Sequence, residues 1–156
     1  MADLTITPAN VALGGTGVTF EKVQAGEAVT QGEPVYKLAS DSKYYLADAD
    51  AEATAEAKGM ALTPAAADGY ILIQKSGSYN PGATVTVGET YCVSTNAGGV
   101  APIGDLTTGD YVTILGTATA TDAILLKISK ELLLLTLLIQ IQLDLMLEHL
   151  LHLQVS

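Results

Sequence analysis

Few side chains in this chain of 156 residues have the types and spacing for chemistry, and each set falls short in a definable way. Asp48, Asp50 and Glu52 alternate with alanine along residues 47–57, as carboxylates do in some calcium loops. Such a loop needs glycine at its sixth position and a bidentate carboxylate at its twelfth. Counted from Asp48, those positions hold Ala53 and Gly59, so the stretch reads as a solvated acidic turn or one short helix. His149 and His152, the only histidines, could share a helix face, but two imidazoles without a third ligand do not make a zinc centre. Cys92 is the single cysteine and cannot form an internal disulfide; within Tyr91-Cys92-Val93 it reads as a small buried hydrophobe. Gly14-Gly15-Thr16-Gly17 lacks the spacing, the following helix and the lysine of a phosphate loop, and reads as a turn. A nucleophile–histidine pair would have to borrow its histidine from the far C-terminus. Carboxylates are plentiful enough for a glycosidase pair, yet one Phe, seven Tyr and no Trp leave little to stack on a sugar. The expectation is a protein that is not an enzyme, with no cofactor and no metal.

Charge narrows the partners. The chain carries seven lysines, no arginine and a formal net charge of -10. Phosphate backbones are bound by releasing counterions to Lys and Arg, so nucleic acid is excluded as a partner. Anionic membrane surfaces would repel the chain. The segment Met1-Ala-Asp-Leu-Thr-Ile-Thr7 lacks the basic stretch and apolar core of a signal peptide, which gives the expectation of a protein made and kept in the cytosol, or assembled there into something larger.

The elements that would position any site are read from a repeat. Gly26-Glu-Ala-Val-Thr-Gln-Gly32-Glu-Pro-Val-Tyr36 recurs 56 residues later as Gly82-Ala-Thr-Val-Thr-Val-Gly88-Glu-Thr-Tyr-Cys92. Each copy leads through two strand-like runs to a Gly-x-Ala step, Gly59-Met-Ala61 and Gly116-Thr-Ala118. Two units with one internal spacing predict a mainly β fold, a compact barrel or sandwich of two related halves. Tyr70–Lys75 is the strongest strand signal, with Ser76–Gly82 a turn after it. A first strand over 3–13 is interrupted near Pro8.

The composition changes at Ser129. Residues 129–156 hold no Gly or Pro and are rich in leucine, against a β-rich domain over 1–128. Leucine content and length predict a helix, although Ile139, Ile141, Leu143, Leu145 and Leu147 also alternate as a strand would. Gln140, Gln142 and Asp144 interrupt the apolar run and argue against a membrane span. Leu134, Leu138, Ile141 and Leu145 follow coiled-coil spacing and are the candidate self-association seam. A helix apolar on nearly all sides must be buried in an oligomer or a partner, and the abrupt shift is also what a fused assembly helix would give.

The stretch Gly26–Ile128 resembles the capsid cement, or head-decoration, proteins of tailed bacteriophages. The resemblance is carried by Ala25–Tyr36, Lys58-Gly-Met-Ala-Leu62, Asn80–Glu89, Gly98-Gly-Val-Ala-Pro102 and Gly109–Gly116. It covers about two-thirds of the chain and leaves out the Leu-rich tail. It implies a small β-rich virion protein, made in the host cytoplasm, that sits on the outer capsid as a homotrimer or larger assembly and clamps the major capsid protein. On that reading the N-terminal segment, with Leu4, Ile6, Val11 and Leu13, is the candidate capsid contact. Two alternatives are a β-domain of a phage fibre or tail and an engineered self-assembling scaffold driven by the C-terminal helix.

Overall fold

The computed structural model describes residues 2–13, 15–130 and 134–154, and the side chains of all of these but Leu13 and 134–140. Among them ten strands form one curled antiparallel sheet, a half-barrel: β1 Val11–Leu13, β2 Thr19–Gln24, β3 Pro34–Lys37, β4 Tyr44–Leu46, β5 Ala57–Ala61, β6 Tyr70–Pro81, β7 Thr90–Val93, β8 Val100–Pro102, β9 Thr113–Ala120 and β10 Ala123–Lys130. A single turn of helix, α1 Glu52–Ala55, precedes β5, and α2 spans Leu134–Gln154.

The main path through the sheet runs β4-β3-β5-β6-β10-β9-β7-β8. Read from its centre outwards, it has the same connectivity on both sides, β6-β5-β3-β4 and β10-β9-β7-β8. The registers repeat as well. Val35 pairs Leu46 and Lys37 pairs Tyr44, as Tyr91 pairs Pro102 and Val93 pairs Val100, each residue 56 positions on. A bulge falls between Val35 and Tyr36 against β5, and another between Tyr91 and Cys92 against β9. The turn that opens each unit places glycine in the left-handed region, φ 91° at Gly32 and 84° at Gly88, where side chains are disfavoured. Gly32 N–H donates to Ala61 O and Gly88 N–H to Ala118 O, both at 2.8 Å. Val29 N–H donates to Ala65 O and Val85 N–H to Thr121 O, both at 2.9 Å.

Each half buries corresponding side chains. Val29, Val35, Tyr44, Ala61 and Ile73 lie in one cluster, and Val85, Tyr91, Val100, Ala118 and Ile124 in the other. The Gly-x-Ala step is repeated for a packing reason. A Cβ at Gly59 would sit 3.0 Å from the Gln74 carbonyl oxygen, and one at Gly116 would overlap the equivalent carbonyl of Leu125. Neither strand could lie so close to its neighbour with a larger residue there.

The structure departs from the sequence expectations in three places. The central strand does not end at Lys75 but runs on to Pro81, through the stretch expected to turn. Its second part pairs with β10 from Ser76 to Tyr79, and Tyr79 is fully buried. Residues 2–7 form no strand; a one-turn helix over Pro8–Asn10 leads into β1, which pairs with β6. The acidic stretch is only half solvated. Ala47, Ala49, Ala55 and Ala57 are buried while Asp50, Glu52 and Glu56 face out. Its backbone joins the halves: Ala49 N–H donates to Ser94 O, and Ala49 O accepts from Tyr111 N–H. In the tail, α2 is the helix expected over the strand alternative.

Gly116→Ala is expected to lower stability by about 2 kcal/mol or more, because backbone must shift to admit the methyl group. Gly104→Ala, which meets nothing within 4 Å, is the control and should cost a small fraction of that in a urea titration.

Candidate functional site

The chemically suggestive residues are not brought together. Cys92 is buried, and its Sγ lies 3.4 Å from Ala101 O as a weak donor. Burial, with smaller contributions from the carboxylates of Asp105, Asp110 and Asp3, pushes its thiol up to about 12, so it is a poor nucleophile. Asp48 uses its carboxylate on its own turn, accepting from Asp50 N–H at 3.1 Å and from the Thr54 hydroxyl at 2.7 Å. Among the described residues no cluster of three His, Cys, Asp or Glu could hold a metal ion. His149 and His152 are exposed on α2.

The Gly-rich loop at the start of β2 has a packing role. Gly77 has φ 92°, and a Cβ there would lie 2.5 Å from the backbone of Gly17. The two segments of the chain touch at that point, and Ser78 N–H donates to Thr16 O at 3.1 Å.

Two clefts mark the β-domain. One, of about 310 Å³, is rimmed by Lys58, Lys75 and Lys130, with Glu56, Thr113 and Ile128. Its lysines are each held by a carboxylate: Glu56 at 2.9 Å from Lys58, Glu21 at 3.2 Å from Lys75 and Glu52 at 3.0 Å from Lys130. The charges balance, so the cleft offers no strong field to an anion. The other, of about 680 Å³, is polar and lined by Thr5, Thr7, Asn10, Asn80, Thr84 and Thr121, with Asp122 as its one carboxylate. Neither cleft presents two facing carboxylates. Glu33, whose carboxyl is raised chiefly by burial, uses its side chain to accept from Thr30 N–H at 2.7 Å within its own turn.

The residues expected to contact a capsid are built into the fold. Leu4 and Ile6 are half-buried against the larger core cluster, and Val11 is a member of it at 9% exposure. Leu13 pairs with Tyr79 through its backbone, and its side chain lies outside the described residues. Leu4, Ile6 and Val11 thus spend much of their apolar surface on the chain's own core. The Asp3 carboxylate accepts from the Ser94 hydroxyl at 2.6 Å and from the Asn96 amide at 2.8 Å. Leu4 N–H donates to Val100 O as Gly26 N–H donates to Tyr44 O, each at 2.8 Å. Tyr44 and Val100 are equivalent in the repeat, so the N-terminal segment covers in the second half the strand edge that residues 25–27 cover in the first. Nothing in a period read within 26–118 pointed to this.

Among the described residues, most of the exposed large hydrophobics are on α2. Ile141, Leu143, Leu145, Met146, Leu147, Leu150, Leu151 and Leu153 are between 50% and 64% exposed. Of the seam expected from the sequence, Ile141 and Leu145 are among these, while the side chains of Leu134 and Leu138 lie outside the described residues. That seam continues in the same spacing onto Glu148 and His152. Among the described residues no helix is long and apolar enough to cross a membrane.

No protein-family model matches the chain, and comparison with curated proteins gives no significant match.

Two outcomes follow. Cys92 should resist a thiol reagent at pH 8 in the native protein and react fully once the chain is unfolded. An unfolded thiol ionises near about 8.5, so below that pH its contribution is fully present; above it the unfolded chain loses its proton first and stability falls, until the folded thiol titrates in turn. Denaturation midpoints of wild type and Cys92→Ala across pH 8 to 11 check the sign. Removing residues 1–7 should lower the melting temperature by several degrees, since it uncovers the β8 edge and removes Leu4 and Ile6 from the core; an unchanged transition would contradict this role of the N-terminal segment.

Proposed function

We propose that the protein is a structural cement, or decoration, protein of a tailed-phage capsid. It binds the major capsid protein on the outer surface of the head, as a homotrimer or larger assembly, and stabilises that shell without catalysis. The observation that supports this reading is where the resemblance falls. Ala25–Tyr36, Lys58–Leu62, Asn80–Glu89, Gly98–Pro102 and Gly109–Gly116 are the turns, bulges and paired strands of two equivalent units. The likeness lies on the framework that makes a rigid platform, which is what a clamp between capsid subunits requires. Net charge of -10 keeps such a protein soluble until it meets its lattice.

A second reading is favoured by the exposed apolar face of α2: a β-domain of a fibre or tail component, with α2 as its stalk. The two differ in what they bind. The full-length protein is incubated with a panel of empty tailed-phage heads stripped of their outer proteins, then sedimented. Saturable binding, with a rise in the temperature at which the heads rupture, is expected for cement. No binding to any head, with retention by purified tails, would overturn it in favour of the second reading.

A further inference from the structure

We infer that a second copy of this chain packs against one defined stripe of α2, formed by Leu143, Met146, Leu150 and Leu153. This stands whether or not the chain binds capsids, because it rests on the helix alone.

The four residues follow 3-4-3 spacing. At 3.6 residues per turn they fall within about 80° of one another, and the helix remains apolar along that line through its last described turn. This is the spacing that seats side chains of one helix between those of another. The seam expected from the sequence, through Ile141 and Leu145, does not continue, because its next two positions are Glu148 and His152.

Charge placement admits a second copy as the occupant. Asp144 and Glu148 lie on the opposite side of α2 from the stripe, roughly 100° or more from its nearest residues. The flanks of the stripe carry Gln142, His149, Leu147 and Gln154, none of them an acid. Two copies facing each other along it keep their helix carboxylates apart, so the repulsion between chains of net charge -10 is not focused at the contact. The apolar surface left exposed on α2 is roughly several hundred Å², at or beyond what a soluble monomer carries as one patch. A helix of identical spacing buries it on both sides at once.

The test compares three full-length proteins by sedimentation velocity at physiological salt. They are wild type, the stripe pair Met146→Lys with Leu150→Lys, and the off-stripe pair Ile141→Lys with Leu145→Lys, which adds the same charge to the same helix. Wild type and the off-stripe pair are expected at a multiple of the 16.1 kDa chain mass, and the stripe pair at that mass itself. An unchanged thermal transition of the β-domain in all three shows that folding is not what is being read. A 16.1 kDa wild type would overturn the inference. So would loss of assembly in the off-stripe pair, or its survival in the stripe pair.

Discussion

Everything in the β-domain depends on the antiparallel pairing of β6 with β10. Each strand closes one half of the repeat, and the four paired positions from Ser76 to Tyr79 join the halves into one sheet. A three- or four-stranded unit with one small cluster of valine, alanine and isoleucine is marginal alone. Joined through β6 and β10, the two clusters become parts of a single fold. The length of β6 follows from this duty, since it must hold β5 and β10 along one side and β2 and β1 along the other.

The same constraint accounts for the composition. The chain is 49% apolar with few aromatics, because strands that approach closely need small side chains at the contacts. Gly59 and Gly116 mark that approach within each half, and Gly77 marks it where the start of β2 meets β6. Alanine does similar work between 47 and 57, where it lets the chain lie flat against the second half while acids face water. The core is committed to joining the halves, and the one thiol is sealed inside it. The two clefts are polar or charge-balanced, and among the described residues most of the exposed large hydrophobics are on α2.

Much of this was legible in the sequence where the signal was local and doubled. The 56-residue period gave the two halves, the matching turns and the Gly-x-Ala step, and the leucine excess gave α2. What was missed depends on long-range pairing. Ser76-Gly-Ser-Tyr-Asn-Pro81 reads as a turn by composition, and only its partners on β10 and β1 make it a strand. Leu4 and Ile6 look like an offered apolar surface until Val100 and Asn96, over ninety residues away, are seen to hold the segment down. The seam through Leu134, Leu138, Ile141 and Leu145 runs on to Glu148 and His152, whereas the line through Leu143, Met146, Leu150 and Leu153 stays apolar to the last described turn of α2.

The most direct measurement is amide hydrogen exchange resolved by residue, comparing equivalent positions of the two halves. Gly32 with Gly88, Val29 with Val85 and Ala61 with Ala118 should show matched protection, and the amides joining β6 to β10 should open only with global unfolding. Protection confined to one half, or β6–β10 amides that exchange before the turns do, would contradict a fold built from two equivalent units held by that pairing.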